Sequence, residues 1–412
     1  VVTETHIHAD FLSGAPALAR AAGAELLLSG EGDGMAGYDR AAFPDARWLG
    51  DGTELHVGQV RLDVIHVPGH TPEHLAFLVH DTATSPLPMG LVSGDFIFVG
   101  DVGRPDLLER AAGIEGTMTR AAIQLFHSLR RVEGIPDFVQ LWPGHGAGSA
   151  CGKALGAVPQ STLGYERRTN WAFAIHDEAT FVERVLLGQP EPPAYFARMK
   201  RINAGGAPLL ARRPDLNDDE LRRAIAGGAL AVDLRPAREF AAGHLPHSLN
   251  VPLGKSFLTW AGSVIPPERD LVLVSSPTLR AASEGAGWEL TLIGLDRVLG
   301  TFAPERLVAP AGQSLDTVAS VAATSLGAAA GPATTVLDVR NWSEWQEGHI
   351  PGAVHIPLAE LAGRLDELRG SGPIAVHCQG GSRSAVAASL LRAEGFDDVA
   401  NVDGGYSAWA RA

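Results

Sequence analysis

The sequence predicts an α/β protein that folds as three consecutive domains. Its 412 residues are too many for one ordinary core, and roughly 150 residues per domain gives about three. In the first half, several histidine- and aspartate-containing motifs each follow a short apolar run that is predicted to be a strand. In the second half, two segments repeat the same pattern of strands and helices. We expect domains at residues 1–205, 206–311 and 312–412.

Composition limits the partners and the compartment. A net charge of −14 argues against nucleic acid, whose phosphates are bound by clustered Lys and Arg. No apolar run is long enough to cross a membrane, and the Ala-rich stretch 314–331 is expected to be a short helix and a linker. The two cysteines, Cys151 and Cys378, lie in separate motifs, so we expect no disulfide and a reducing, cytoplasmic location. We also expect a homo-oligomer.

The motifs of the first half carry residues that bind metals. In the extended segment 5–10, alternation places two imidazoles on one side, with a carboxylate close by. Later motifs follow predicted strands at residues 62–67, 90–92 and 138–142. Strand ends at one edge of a sheet can converge on a metal, and His with carboxylate suits zinc or iron better than magnesium. The candidates are His6, His8, Asp10, His70, Asp95 and His145.

Other histidines and one cysteine lack this context. We expect five histidines to be ordinary polar residues: His66, His74, His80, His127 and His176. Cys151 lies in a Gly-rich loop, where we expect a small packed side chain, with a redox-active or substrate-contacting thiol as the alternative.

The order H-x-H-x-D, PGHT, SGD and GHG resembles the metallo-β-lactamase superfamily over roughly residues 1–200. Within that superfamily, residues 4–14, 103–107 and 143–153 look like those of the persulfide dioxygenases. The resemblance implies an αββα sandwich. It also implies that the chain is cropped at its N-terminus, because strands and a helix normally precede the first motif in this fold.

The resemblance also implies the metal. The binuclear hydrolases of the superfamily carry H-x-H-x-D-H, and Phe11 stands at the last position here, which favours one metal. Similarity to the dioxygenases assigns it as Fe(II), one per chain, held by His6, His70 and Asp95 with positions left for O2 and substrate. The remaining three candidates, His8, Asp10 and His145, would then surround the site.

Substrate contacts are expected from cations, because a thiol cofactor that carries the persulfide is anionic. Arg104, Arg167 and Arg168 lie in segments that resemble the dioxygenases, and a solvated surface role is the alternative for each. The implied reaction is the oxidation of a low-molecular-weight thiol persulfide to sulfite. The alternatives are a zinc hydrolase of the glyoxalase II type, which acts on thioesters, and a persulfide carrier without enzymatic activity.

The second half contains an internal repeat and a reactive cysteine. Residues 233–246 align without gaps on residues 338–351, an offset of 338 − 233 = 105. Cys378 and Arg383 frame a C-x4-R loop with Gly380 and Gly381 inside it, ahead of a predicted helix. Backbone amides and the helix N-terminus can stabilise a thiolate there and cradle a persulfide.

With other motifs of residues 312–412, this loop resembles the rhodaneses, which implies sulfur transfer through Cys378 to sulfite and release of thiosulfate. The first repeat has Ser275 where a rhodanese has its cysteine, and its loop contains no glycine. We therefore expect that domain to be a spacer or a docking surface without chemistry of its own.

Overall fold

The computed structural model describes residues 1–32, 37–110, 115–146, 151, 156–189, 191–193, 195–207, 217–275, 280–302, 315–326 and 334–412. The chain divides into two compact units, an N-terminal unit, Val1–Leu209, and a C-terminal unit, Leu210–Ala412. Within the described residues, no helix combines the length and the apolar character that crossing a bilayer requires.

The N-terminal unit contains two sheets. The smaller sheet is parallel, in the order β1-β2-β3, and the larger has six strands in chain order from β4 to β9. In the larger sheet β7 and β8 run parallel, and the other neighbours are antiparallel. The strands are β1 (Val2–Thr3), β2 (Leu26–Ser29), β3 (Arg47–Leu49), β4 (Glu54–Val57), β5 (Val60–His66), β6 (Leu75–Asp81), β7 (Gly90–Gly94), β8 (Gln140–Pro143) and β9 (Ser161–Thr162).

Alternation along the strands separates two cores. Leu75 and Phe77 of β6 pack with Leu27 and Leu49 of the smaller sheet, so this core fills the space between the sheets. Ala76, on the opposite face of β6, packs in a second core with apolar residues of helices. The two sheets therefore lie face to face, as an αββα sandwich requires.

Helices cover the outer faces of both sheets. Leu125 of α3 and Phe181 of α6 pack on the six-stranded sheet. On the other side, Ala204 of α7 packs against Leu28 of β2 and Ile7. The helices of this unit are α1 (Ala15–Ala22), α2 (Leu107–Arg110), α3 (Thr117–Arg131), α4 (Leu163–Thr169), α5 (Trp171–Ala174), α6 (Glu178–Leu186) and α7 (Phe196–Gly205).

The strands predicted before the later motifs are present, displaced by up to two residues at each end. They are β5, β7 and β8. His70, Asp95 and His145 each follow one of them within four residues. The turns after these strands therefore bring the motif side chains together.

The C-terminal unit contains two parallel sheets. Their orders are β11-β10-β12-β13 and β14-β18-β17-β15-β16. The strands are β10 (Leu230–Asp233), β11 (Leu249–Asn250), β12 (Leu271–Val274), β13 (Val298–Phe302), β14 (Ala319–Ala322), β15 (Thr335–Asp338), β16 (Val354–His355), β17 (Ile374–His377) and β18 (Val399–Asp403). Strands β11, β10 and β12 are neighbours in the first sheet, as β16, β15 and β17 are in the second. The sequence repeat is therefore also a repeat of sheet topology.

Helices connect these strands, as parallel sheets require. They are α8 (Asp218–Ala226), α9 (Ala237–Ala242), α10 (Phe257–Val264), α11 (Arg280–Leu292), α12 (Trp342–Glu347), α13 (Leu358–Leu361), α14 (Ser382–Ala393) and α15 (Gly405–Trp409). Asn217 and Glu220 form a reciprocal capping box at the start of α8. The expected helix in the stretch 314–331 is wrong for its described part, which forms β14 and a 3-10 turn, Ala323–Ser325. β14 pairs with β18, and this sheet pairing outweighs the helical preference of alanine.

The two repeats pack against each other inside this unit. The Ser389 hydroxyl of α14 accepts a hydrogen bond from the Asn250 backbone N–H of β11 at 2.9 Å. Within the second repeat, Arg392, also on α14, donates to both carboxylate oxygens of Asp316 at 2.7 and 2.8 Å. The backbones of His244 and Asp316 form a β-bridge. The helix that follows the Cys378 loop is therefore held from the side of the first repeat.

Candidate functional site

Three predicted metal ligands meet in the N-terminal unit. One ligand atom from each of His6, His70 and Asp95 lies within 4.8 Å of the others, and all three residues are buried. The Nε2 atoms of His6 and His70 lie 3.9 and 3.5 Å from Asp95 Oδ2. His6 comes from the segment after β1, His70 from the turn after β5, and Asp95 directly follows β7.

The Asp95 carboxylate is the strongest sign of a metal site. Its residue is 0% exposed, and neither carboxylate oxygen has a hydrogen-bond partner among the described residues. A buried carboxylate without such partners is costly, and a coordinated metal ion is one of the few groups that removes the cost. Two imidazoles and this carboxylate form a donor set that fits zinc or Fe(II).

Glycines let the chain approach Asp95 closely. A Cβ at Gly144 would lie 2.6 Å from Asp95 Oδ1, and a Cβ at Gly103 would lie 1.7 Å from the Asp95 carbonyl oxygen. Any side chain at these positions would collide with the aspartate. Gly144 of the GHG motif and Gly103 are therefore required by the site.

Neighbouring groups orient the ligands. The Arg104 carbonyl oxygen lies 3.1 Å from His70 Nδ1, and because a carbonyl only accepts, Nδ1 carries the proton and Nε2 presents a lone pair. The Asp95 backbone N–H donates to His74 Nε2 at 3.0 Å. Burial, then the nearby His70, lowers the pKa of His74 to about 3, which keeps that ring neutral and able to accept.

The ligand imidazoles are also neutral. Burial lowers the pKa of His6 well below 6.5, with further contributions from His8 and His74. Burial lowers the pKa of His70 as well, although Asp95 opposes that shift. Neutral imidazoles are the form that binds metal, so these two side chains are ready for a cation at neutral pH.

The other three candidates surround this group. His145 Nε2 lies 3.2 Å from Asp10 Oδ2 and 3.4 Å from Asp95 Oδ2. Although burial opposes its charged form, the Asp95 carboxylate raises the pKa of His145 to about 9. The His8 ring lies 4.3 Å from the ring of His6 and stacks at 4.3 Å on Phe11. The structure thus brings all six candidates of the first half together.

Three residues near the site were not among the metal-binding candidates of the sequence. The expectation that His74 is an ordinary polar residue is wrong, because its ring accepts a hydrogen bond from the Asp95 backbone N–H. Cys151 offers a sulfur within 4.8 Å of ligand atoms of Asp10 and His145. The ammonium charge of Lys200 in α7 lowers the pKa values of His6 and His70 after larger effects of burial. Of these, His74 had a sequence signal, since it lies four residues after His70 and directly before β6.

The three predicted substrate-binding arginines lie elsewhere or are occupied. Arg104 is 0% exposed and donates to both carboxylate oxygens of Asp106 at 2.8 and 2.7 Å. Arg167 and Arg168 both pair with Asp137, at 2.6 and 3.1 Å. Asp137 precedes β8, whereas His145 follows that strand, so this pair lies at the other end of β8 from the imidazoles. Substrate binding by these arginines stays a prediction.

In the C-terminal unit, Cys378 follows β17 and leads into α14. Its thiol is buried, and Sγ accepts a hydrogen bond from the Gly381 N–H at 3.1 Å, with the Ser384 hydroxyl at 3.5 Å. Gly381 precedes the helix with φ of +104°, which favours glycine. The Gly381 N–H, directly before α14, thus points at the sulfur.

The loop is fixed on two sides. Arg383 donates to both carboxylate oxygens of Glu344 at 2.6 and 2.7 Å. The Cys378 carbonyl accepts from the Tyr406 N–H at 2.7 Å, and a Cβ at Gly405 would lie 2.2 Å from that carbonyl oxygen. The predicted cation of the loop is therefore present beside the cysteine, and its charge is balanced by Glu344. Gly380 has open space around it.

The shared Asp-x-Arg of the repeats is a buried ion pair. Arg340 donates to Asp338 at 2.8 Å and to the Gly348 carbonyl oxygen at 2.7 Å. The equivalent Arg235 donates to Asp233 at 2.6 Å and to the Gly243 carbonyl oxygen at 3.0 Å. Ser275 follows β12, as Cys378 follows β17, and residues 276–279 of its loop lie outside the described residues.

Comparisons with known proteins agree with both halves. The metallo-beta-lactamase superfamily matches residues 1–145, and the rhodanese-like domain matches residues 217–299 and 323–412. A crystal structure of a metallo-beta-lactamase from Staphylococcus aureus subsp. aureus COL is 41% identical, with a TM-score of 0.65, and the match covers 73% of this chain and 84% of that chain. The chain belongs to the metallo-beta-lactamase superfamily. Its metallo-beta-lactamase domain is followed by rhodanese-like domains.

Curated relatives match parts of the chain. Hydroxyacylglutathione hydrolase of Pseudomonas entomophila (strain L48) is 36% identical over 141 residues, which is 34% of this chain and 45% of that protein. The uncharacterized protein YqhL of Bacillus subtilis (strain 168) is 40% identical over 74 residues, 18% of this chain and 59% of that protein. The chain spans about half the length of the curated relatives that it matches.

Proposed function

We propose that the metallo-beta-lactamase domain is a non-haem iron persulfide dioxygenase and that the last rhodanese-like domain transfers sulfur through Cys378. The proposed product is thiosulfate, and the proposed role is sulfide detoxification. The observation that carries the proposal is one chain with both a buried two-histidine, one-carboxylate group and a cysteine loop built to hold a sulfur anion.

The first reaction converts one persulfide, one O2 and one water into one thiol, one sulfite and two protons. Iron, held by His6, His70 and Asp95, would bind oxygen and let it accept the electrons that the outer sulfur of the persulfide loses. The chain supplies the surroundings. His145 Nε2 and Asp10 Oδ2 lie 3.2 Å apart at the edge of the ligand group and share a proton. That proton can pass to the thiolate that leaves.

The second reaction uses the sulfite. The Cys378 thiolate first attacks the outer sulfur of a second thiol persulfide, whose S–S bond breaks and releases the thiol. Sulfite then attacks the outer sulfur of the persulfide on Cys378, that S–S bond breaks, and the electron pair of the bond stays on the Cys378 sulfur as thiosulfate leaves. The Gly381 N–H, 3.1 Å from Sγ, stabilises the resulting thiolate. Because both domains belong to one chain, sulfite formed by one is concentrated near the other without any further contact.

The metal assignment is tested by Asp95→Ala in the full chain. Protein purified without metal-stripping steps should contain one iron per chain, and the variant should lose both iron and persulfide-dependent oxygen uptake. Sulfur transfer by Cys378 should remain measurable in the folded variant, because the two groups lie in separate units. Zinc in place of iron in the wild-type protein, without oxygen uptake, would overturn the proposal.

The coupling of the two reactions is tested by Cys378→Ser. With persulfide and O2, the wild-type protein should release thiosulfate, and the variant should release sulfite while it consumes oxygen at a similar rate. Conditions are chosen in which free sulfite and persulfide do not react. Thiosulfate released by the variant at the wild-type rate would show that Cys378 does not receive the sulfite.

The second candidate is a zinc-dependent thioester hydrolase of the glyoxalase II type. The identity with hydroxyacylglutathione hydrolase favours it. Phe11 counts against it, because its ring stacks on His8 at the position where the binuclear hydrolases carry a histidine ligand. Hydrolysis of an acylglutathione by the zinc-loaded protein, without oxygen uptake by the iron-loaded protein, would favour this candidate.

A further inference from the structure

The segment of residues 70–75, which joins β5 to β6, carries one ligand of the metal site and contacts the segments of the other two. The Leu75 backbone N–H donates to the Thr5 carbonyl oxygen at 2.8 Å. The Asp95 backbone N–H donates to the His74 ring at 3.0 Å. These contacts tie the segment after β1 and the end of β7 to the same short stretch of chain.

Glu73 is the acidic residue of this stretch, and it makes a contact of a different kind. The residue is 0% exposed, and its Oε1 accepts from the Ile7 backbone N–H at 2.8 Å. That N–H belongs to the planar peptide unit that joins His6 to Ile7, so the hydrogen bond fixes the backbone on which the His6 imidazole stands. On its other side, the Ile7 side chain packs against Leu28 of β2.

The charge of Glu73 also reaches the site. Its Oε2 has no hydrogen-bond partner among the described residues, although the side chain is buried. An opposite charge comes from Lys200 of α7, because burial lowers the pKa of this lysine and the Glu73 carboxylate opposes that shift. The ammonium charge of Lys200 contributes in turn to the lowered pKa values of His6 and His70. Carboxylate, ammonium and ligand imidazoles therefore lie within electrostatic range of one another.

We propose that Glu73 is a positioning residue of the metal site, which fixes the His6 peptide through the Ile7 N–H and favours a cation at the ligands by its negative charge. It acts through His6, since the group of converging ligand atoms consists of His6, His70 and Asp95. The inference rests on the ligand set of the proposed function, but not on the identity of the metal or on the reaction.

Zn²⁺ tests the affinity, and Co²⁺ tests the geometry. The full chain is freed of metal with a chelator, and Zn²⁺ binding is measured by competition with a chromophoric chelator. Glu73→Leu removes both the acceptor and the charge, so it should weaken Zn²⁺ binding roughly 10- to 100-fold. Glu73→Gln keeps an acceptor for the Ile7 N–H and loses only the charge, so it should bind Zn²⁺ less tightly than wild type and more tightly than Glu73→Leu. The visible spectrum of bound Co²⁺ reports the ligand geometry, and it should match wild type in Glu73→Gln and differ in Glu73→Leu.

Glu166 supplies the matched control. It is also 0% exposed and accepts from a backbone N–H, that of Gly100 at 2.8 Å, which lies outside the ligand segments. Glu166→Gln should therefore bind Zn²⁺ as wild type does.

Thermal unfolding shows which variants are folded, and if Glu73→Leu does not fold, the two glutamine variants decide. Zn²⁺ binding by folded Glu73→Leu within about twofold of wild type overturns the inference. So does Glu73→Gln that binds as tightly as wild type or as weakly as Glu73→Leu, or an equal loss in Glu166→Gln. No readout involves persulfide or oxygen, so this inference and the proposed activity can fail separately.

Discussion

Replacing Arg340 with methionine tests the view that the shared Asp-x-Arg of the repeats is structural. Arg340 and Asp338 are 1% and 0% exposed, and the substitution leaves the Asp338 carboxylate buried without its cation. Removing one partner of a buried ion pair costs about 3–5 kcal/mol. The unfolded population of the C-terminal unit should rise roughly 150- to 5,000-fold, which lowers Tm by about 6–20 °C.

The first repeat supplies the matched control. Arg235→Met removes the same contacts to Asp233 and Gly243, so it should destabilise the unit by a similar amount. Arg340 additionally donates to the Gln379 side chain at 3.2 Å, next to Cys378. Sulfur transfer by the folded protein should therefore fall in Arg340→Met and persist in Arg235→Met.

Urea unfolding followed by circular dichroism measures both losses. A third variant, Asp338→Asn/Arg340→Met, removes the orphaned charge but keeps an acceptor for the backbone N–H of residue 340. It should be more stable than Arg340→Met alone. A loss below about 1 kcal/mol for Arg340→Met, or a double variant that is less stable than the single one, would refute the reasoning.

Two further predictions concern a titrating pair and the first repeat. The first concerns protein freed of metal by a chelator. Burial alone would lower the pKa of His145, but the Asp95 carboxylate raises it from 6.5 to about 9. The stabilisation by this pair is therefore complete below pH 6.5 and is lost as the pH rises through 9. Urea midpoints across that range should decline for wild type and change less for His145→Gln, and equal declines would contradict the pairing. Ser275→Ala should leave oxygen uptake and sulfur transfer close to wild type, because the proposed chemistry lies elsewhere, and a large loss of turnover in folded protein would contradict this.

The sequence predicted the main ligand group for a simple structural reason. His70, Asp95 and His145 each follow a strand of one sheet, and neighbouring strand ends meet at an edge whatever the loops do. The strand positions were predictable from apolar runs, and errors of one or two residues at their ends did not move the motif side chains. The layered α/β fold followed from the same runs.

The surroundings of the site depend on loop paths and on contacts between distant segments. Arg167 and Arg168 lie in a segment whose sequence resembles the dioxygenases, yet both pair with Asp137 at the other end of β8 from His145. Lys200 lies on α7, and its ammonium charge contributes to the lowered pKa of His6. The spacing of these residues in the sequence does not predict where they lie, because their places depend on the path of the chain between the motifs and the helices.

The two repeats share a buried Asp–Arg pair, but only the second has a cysteine at the start of its loop. Asp233 with Arg235 and Asp338 with Arg340 make the same buried contacts, so both repeats keep the pair that stabilises the parallel sheet. The reactive sulfur depends on a different element, the turn between β17 and α14, in which Gly381 adopts a positive φ and donates to Cys378. The sulfur chemistry therefore needs an element beyond the shared ion pair, and Arg340 is linked to that element through Gln379. A repeat that loses its cysteine can still hold α14 of its neighbour through the Asn250–Ser389 contact.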